Sequence, residues 1–133
     1  MRGLDTNILV RLLLRDDRQQ SELARRTIER ALAAGEPLIV GTMAFLETEW
    51  ALRSHTGLRK AEVILLFKQL LEARDVVFEN EGVIEQALYS YKNGGADFAD
   101  CLLIAQYLHL GCETMLTFDV RASRVLGGEF LKA

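Results

Sequence analysis

Four acidic residues stand at positions where a carboxylate destabilises a folded chain unless something neutralises it. They are Asp5, Glu47, Asp100 and Asp119. Asp5 and Asp119 each come directly after a short apolar segment that is typical of a buried strand, and the other two fall among apolar residues of predicted helices. A buried carboxylate without a partner loses its hydration or takes up a proton. The four together therefore indicate a shared site.

Glu47 lies in the segment TMAFLETEWALRSH, which has the period of a helix. At about 100° per residue, one arc of this helix holds Met43, Leu46, Trp50, Ala51 and Ser54. Glu47 falls in the middle of that arc. Glu49 falls elsewhere, four residues before Arg53, a spacing typical of a solvent-facing ion pair. We therefore expect Glu47, and not Glu49, to face inward.

Asp100 repeats the pattern in the segment DFADCLLIAQYLHL. The apolar arc of this predicted helix holds Cys101, Leu103, Ile104, Tyr107 and Leu108. Asp100 falls within it, and a favourable interaction with the helix dipole does not explain why it points inward. Asp97 lies near the same arc but opens the helix, so we expect it to cap the first turn.

Convergence of these acids predicts a divalent cation. Two like charges about 4 Å apart repel by roughly 4 kcal/mol at the effective dielectric of a protein surface. Carboxylate oxygens suit Mg2+ or Mn2+ better than zinc, and both histidines, His55 and His109, are predicted to face outward. Mg2+ completes its coordination with water and substrate phosphate, so the pattern favours phosphodiester or phosphoryl chemistry.

The elements that must position these residues alternate along the chain. Strands are predicted at Leu4, Pro37–Val40, Val76–Phe78, Thr114–Phe118 and the terminal EFL. Three helices are predicted to follow a capping residue: Asn7–Arg15 after Thr6, a second to about Ala34 after Asp17, and a third to about His55 after Thr42. Four more are predicted, one from Leu58, one over 81–92, one over Asp97–Leu110 and one from about Arg121. This alternation predicts a parallel sheet covered on both faces, whose ligands bind at the carboxyl ends of the strands.

Length and composition limit the protein further. With 133 residues, we expect residues 1–133 to form one domain. A net charge of −3 excludes a globally basic surface for nucleic acid, although not local patches. No apolar run approaches a membrane span and a secretory signal is not expected, which favours a cytoplasmic protein. Cys101 and Cys112 are expected to be reduced packing residues.

Four segments in order, LDTNILVRLL, FLETEWAL, GADFADCLLIA and LTFD, resemble the PIN-domain ribonucleases. The similarity covers essentially the whole chain and is greatest to the VapC-type toxins of toxin–antitoxin pairs. It implies a three-layer α/β/α sandwich around a mainly parallel sheet, and Mg2+- or Mn2+-dependent endonucleolytic cleavage of RNA. The chain departs from the family at its start, where Arg2 and Gly3 replace apolar residues and predict a weakened first strand.

The resemblance also assigns roles to individual residues. It implies a catalytic quartet of Asp5, Glu47, Asp100 and Asp119, with metal on Asp5, Asp100 and Asp119, and auxiliary roles for Thr6, Asn7, Asp97 and Thr117. Glu47 is expected to bind metal through water or to act as the base. A homodimer and a small cognate antitoxin are the implied partners. Arg11 and Arg15, one turn apart, are candidates to contact the RNA backbone or the antitoxin.

Three other functions fit parts of the pattern. A receiver-like domain also carries acids after strands, but it needs a lysine after a late strand, and LTFDVRASR has none. A phosphatase with an aspartate nucleophile would require an acid two residues after Asp5, where Asn7 stands. A catalytically silent PIN-like domain that only binds a partner remains open, although an intact quartet argues against it.

Overall fold

The computed structural model describes residues 1–14, 16–73 and 75–133. These residues form two compact units, 1–79 and 80–133. Both contain parallel strands and helices, which confirms the predicted α/β class. The expectation of a single domain stays a prediction.

The first unit contains a three-stranded parallel sheet. Its strands are β1 (Arg2–Leu4), β2 (Leu38–Val40) and β3 (Val77–Phe78), in that order, with Gly3 opposite Ile39 and Ile39 opposite Val77. Within this sheet β1 is an edge strand, where a glycine and a charged residue are tolerated. The Arg2 guanidinium donates from Nε and Nη2 to the Glu36 carboxylate at 2.8 and 3.0 Å. Arg2 and Gly3 therefore lie in the strand that they were expected to weaken.

Four helices complete the first unit around an apolar core. They are α1 (Thr6–Leu14), α2 (Arg18–Ala33), α3 (Thr42–Thr56) and α4 (Lys60–Glu72). Helix α1 packs on α2 and α3, and α3 packs on α4. Phe45 on α3 lies at the centre of the core, with its ring centroid 5.1 Å from that of Phe67 and 5.7 Å from that of Phe78. Such aromatic contacts add to the free energy gained by burying these large side chains.

Two helix caps in the first unit differ from those predicted. Helix α1 begins at Thr6, and its cap is Asp5, whose Oδ1 accepts a hydrogen bond from the Ile8 amide at 3.0 Å. Helix α3 begins at Thr42, so Thr42 is not its cap either; Glu79 Oε1 accepts from the Thr42 amide at 2.8 Å. Glu79 comes from a distant part of the chain, and no local pattern indicates it. The predicted Asp17 cap of α2 is confirmed.

The second unit joins a helix pair to a two-stranded parallel sheet. Its elements are α5 (Glu81–Asn93), α6 (Phe98–His109), β4 (Met115–Thr117), α7 (Val120–Ser123) and β5 (Gly128–Phe130). Helices α5 and α6 pack together, with the Tyr91 and Phe98 ring centroids 5.4 Å apart. A Cβ atom on Gly128 would lie 2.1 Å from the carbonyl oxygen of Ala122, so the return from α7 into β5 requires glycine there.

Both cysteines are free, but their environments differ. Cys101 is buried on α6, as predicted, whereas Cys112 is exposed. Cys112 lies in the turn after α6, where no apolar face covers it, so the prediction that it packs in the core was wrong. None of the described helices combines the length and the apolar character needed to cross a membrane.

Candidate active site

An open cleft in the first unit contains four of the predicted site residues. Asp5, Thr6, Asn7 and Glu47 all line it, and its volume is about 650 Å3. The rest of its wall comes from α3, through Ala44, Leu46, Trp50, Ala51 and His55. This volume lies within the range of typical ligand sites and far exceeds the space of a single ion. The cleft therefore has room for a metal ion together with part of a substrate.

Two elements hold the carboxylates of Asp5 and Glu47 at this cleft. Asp5 directly follows β1 and caps α1, so its backbone is fixed by the sheet on one side and by the helix on the other. The Thr6 hydroxyl donates to Glu47 Oε2 at 3.3 Å and joins α1 to α3 through their side chains. Asn7 lines the same cleft one residue further along α1. A hydroxyl that donates to a carboxylate fixes its orientation, as supporting residues do around metal ligands.

The face of α3 that packs into the core is not the predicted one. Glu47 is exposed, as are Met43 at 73% and Trp50 at 55% of their surface, so the predicted arc faces the cleft and solvent. The buried face instead carries Thr42, Phe45, Thr48, Glu49 and Leu52. Helix α3 has large apolar residues on two sides, so its period alone does not tell which side is buried. Glu47 therefore lies on the exposed face of α3, and this face lines the cleft.

Glu49 is the buried carboxylate of α3, and Arg53 neutralises it. Glu49 is only 2% exposed, and Arg53 Nε lies 2.8 and 2.7 Å from its two oxygens. The predicted i,i+4 pair is present, but it lies partly inside the protein. A buried carboxylate is tolerated when a guanidinium is held against it by hydrogen bonds.

The second unit brings together three further acids. Asp97 caps α6 by accepting from the Asp100 amide at 2.9 Å, which confirms the predicted cap. Asp119 caps α7 by accepting from the Ala122 amide at 2.9 Å. The Thr117 hydroxyl accepts from the backbone N–H of Asp119 at 3.0 Å, so Thr117 contacts the main chain of Asp119 rather than its carboxylate.

The surroundings of Asp100 raise the pKa of its carboxyl. Partial burial raises the pKa of its carboxyl above the usual value, and the negative charges of Asp97 and Asp119 raise it further. Its neighbours Leu103 and Tyr107 are 43% and 41% exposed, so this arc of α6 is only partly buried. As expected, burial and neighbouring negative charges disfavour the ionised form of Asp100.

Replacing Asp100 by asparagine is expected to stabilise the metal-free protein at neutral pH. Because the folded-state pKa is raised, ionised Asp100 reduces stability above that pKa, whereas protonated Asp100 does not. The gain from Asp100→Asn should shrink as the pH falls from the raised folded-state pKa towards about 4, and it should be absent below that, where the folded and the unfolded chain both carry the proton. Thermal melts in EDTA at pH 7 and at about pH 3 measure this difference. A gain that is equal at both pH values would contradict it.

Arg11 is engaged within the first unit. Its Nε donates to Gln20 Oε1 at 2.6 Å, and its Nη1 donates to Asp16 Oδ1 at 2.9 Å. These bonds tie α1 to the start of α2, a structural role that sequence reasoning did not assign. Arg15, which was paired with Arg11 as a contact for RNA or antitoxin, lies outside the described residues.

His55 is a cleft residue that sequence reasoning missed. It is exposed, as predicted, but it lines the same cleft as Asp5 and Glu47. The signal was present in the spacing, since Glu47, Ala51 and His55 follow one another at four-residue intervals and share a helix face. Once the exposed face of α3 is known to be the cleft face, His55 belongs to it.

The carboxylates of the predicted metal ligands suit a hard cation, but they do not form a complete coordination site by themselves. In residues 1–14, 16–73 and 75–133, no group of three or more histidine, cysteine, aspartate or glutamate side chains is arranged to hold a metal ion. The predicted ligands are carboxylates, which Mg2+ and Mn2+ prefer. Mg2+ is commonly held by one or two carboxylates, with waters and substrate phosphate completing its shell. The chemistry of the donors therefore fits Mg2+.

Comparison with known proteins places this geometry in a family. No curated protein matches the chain. The model of the PIN domain, whose members are generally nucleases that typically use divalent metals, matches residues 4–127. The match runs from the strand before Asp5 to the residue before β5, and it includes all four predicted catalytic acids. The chain therefore belongs to the PIN domain family.

Proposed function

We propose that this chain is a Mg2+- or Mn2+-dependent endoribonuclease that hydrolyses RNA phosphodiester bonds. The observation that carries the proposal is the cleft at the end of β1, where Thr6 ties the Glu47 carboxylate to the helix that Asp5 caps. Membership of the PIN domain family supports a nuclease-type function. Membership of the PIN domain family favours a nuclease over a receiver-like domain or an aspartate phosphatase.

The proposed roles are those that the resemblance to PIN-domain ribonucleases implies for each side chain. Asp5, Asp100 and Asp119 are the proposed metal ligands, and Glu47 is the proposed base that orients the attacking water. When bound, the metal supplies an activated water and stabilises the charge on the leaving oxygen. Thr6 restrains the Glu47 carboxylate through its hydroxyl.

The acids of the second unit also suit a bound cation. Partial burial raises the pKa of Asp100, the charges of Asp97 and Asp119 raise it further, and a nearby cation would favour its ionised form instead. Thr117 fixes the backbone at Asp119, where α7 begins. We therefore keep Asp97 and Thr117 as auxiliary residues that position the proposed ligands.

Metal dependence is the direct test of this function. We expect the purified protein to cleave single-stranded or structured RNA in Mg2+ or Mn2+, to stop in EDTA, and to resume when excess Mg2+ is restored. The measurement is a time course of fragments from an end-labelled RNA, with protein purified identically after Glu47→Gln substitution as the control for contaminating nucleases. Equal cleavage by both proteins, or cleavage that persists in EDTA, would contradict the proposal.

The proposed biological role is that of the toxin in a VapC-type toxin–antitoxin pair, acting in the cytoplasm as a homodimer. Its proposed partners are cellular RNA and a small cognate antitoxin. Induced expression should arrest growth and produce defined cuts in total cellular RNA, and co-expression of the proposed cognate antitoxin should prevent both. Growth that continues while the active protein accumulates would contradict the toxin role and leave the nuclease activity to be judged by the cleavage assay.

A catalytically silent PIN-like binding domain is the second candidate. It is favoured by the capping bonds of Asp5, Asp97 and Asp119, each of which gives a carboxylate a structural role at the start of a helix. Under this alternative the protein would bind its partner, and its expression could arrest growth, but no RNA would be cut. Mapping of RNA ends after induction separates the two functions.

A further inference from the structure

Two aromatic rings form part of the wall of the cleft that Asp5 and Glu47 line. Trp50 is 55% exposed, although tryptophan is usually largely buried. Its ring centroid lies 5.0 Å from that of His55, and the ring planes meet at 87°. Trp50 is also the only tryptophan in the chain. An exposed indole in a cleft that two carboxylates also line requires an explanation that core packing does not provide.

The contact with His55 holds the Trp50 indole in place without covering it. Edge-to-face pairs at this distance are a favoured arrangement of aromatic rings. Both rings lie on α3, whose other face is anchored in the core by Phe45 and Leu52. The indole is therefore positioned on a rigid element, and a ligand that stacks on it loses little free energy in ordering it.

We propose that Trp50 is a stacking platform for one unpaired base of a single-stranded RNA. This inference rests on the proposed function, because it identifies the form of RNA that the same cleft accepts. Two carboxylates and two aromatic rings line the same cleft, so we place the phosphate of a bound nucleotide at the carboxylates and its base at Trp50. The cleft volume of about 650 Å3 accommodates a nucleotide.

The chemistry of the wall favours a base over other occupants. In a duplex the faces of the bases are covered by their neighbours, so only an unpaired base can stack on an indole. The apolar residues of the wall, Ala44, Leu46, Trp50 and Ala51, are interrupted by two carboxylates, whereas the buried centre of a protein interface is depleted of charged residues. Stacking tolerates every base, because each has a π face, so Trp50 selects unpaired strands rather than a sequence.

Intrinsic fluorescence of Trp50 tests the proposal directly, since no other tryptophan contributes. Short oligoadenylate is titrated into the protein with Ca2+ in place of Mg2+, and gels check that the RNA stays intact. We expect quenching of Trp50 by single-stranded oligoadenylate and little quenching by the duplex that it forms with oligouridylate. An abasic oligomer of equal length, which keeps the phosphates but lacks bases, should not quench.

Variants separate stacking from general binding. Trp50→Ala should weaken binding of labelled oligoadenylate about fivefold to a hundredfold by anisotropy, whereas Trp50→Phe should retain most of the affinity. Met43→Ala is the matched control, because Met43 is exposed on the same helix and lies outside the wall of the cleft. His55→Ala should increase the mobility of the Trp50 indole, seen as lower fluorescence anisotropy, and His55→Phe should restore it.

Specific results would overturn the proposal. They are binding that leaves Trp50 fluorescence unchanged, equal quenching by the abasic oligomer, an unchanged affinity after Trp50→Ala, and absence of binding to any oligomer. A Trp50→Ala variant with normal RNA affinity but an altered monomer–dimer equilibrium would assign the ring to a protein interface instead. Quenching without cleavage in Mg2+ would support stacking while contradicting the nuclease function, so the two proposals fail separately.

Discussion

Asp5→Asn is expected to lower RNA cleavage by about a hundredfold or more while leaving the fold intact. Asparagine is as good a helix cap as aspartate, so its side-chain oxygen can still accept the hydrogen bond from Ile8 that begins α1. The substitution therefore removes one negative charge from the lining of the cleft and little else. Initial rates of cleavage in saturating Mg2+, together with thermal melts in EDTA, measure the two effects.

Two controls make the Asp5 result interpretable. Asp17 caps α2 with the same geometry and lies outside the cleft, so Asp17→Asn removes an equal charge and should leave the cleavage rate unchanged. Asp5→Ala removes both the charge and the cap, and it should destabilise the protein by about 1 kcal/mol in addition to losing activity. Full activity in Asp5→Asn would remove Asp5 from the proposed metal ligands and leave its capping role as the only one.

Arg53→Met is expected to reduce the free energy of unfolding by about 2–3 kcal/mol. Methionine keeps much of the apolar stem but removes the guanidinium, which leaves the Glu49 carboxylate buried without its cation. Breaking a fully buried pair costs more, but Arg53 is partly exposed, so water reaches the site and lessens the loss. Urea denaturation followed by circular dichroism measures the change.

Neighbouring residues provide matched controls for this prediction. Arg59 pairs with Glu62 on the surface of α4 through a similar Nε contact, and Arg59→Met should cause no measurable change in stability. Glu47→Gln changes the exposed glutamate of α3; it should preserve stability within about 0.5 kcal/mol but lower cleavage. If Arg53→Met and Arg59→Met proved equally stable, the Glu49–Arg53 pair would not have the structural role assigned to it.

The sequence by itself determined the local elements and the types of residue in the site. The period of its apolar residues predicted the strands and helices that are present, including β5 after α7, whereas the predicted caps Thr6 and Thr42 were wrong. The position of Asp5 directly after a strand placed it at a strand end, and Asp97 was predicted as a cap. These features depend on residues within a few positions of one another, so the sequence contains the information needed to predict them.

Only the tertiary structure decided which face of α3 is buried. Glu47 and Glu49 both lie among apolar residues, and the sequence favoured the wrong one as the inward acid. Packing of Phe45 against Phe67 and Phe78 turns the Glu49 side into the core and leaves Glu47 and Trp50 at the cleft. Likewise, the cap of α3 comes from Glu79, thirty-seven residues beyond Thr42. Such choices depend on contacts between segments that are distant in the chain, and helical period carries no information about them because it describes each segment alone.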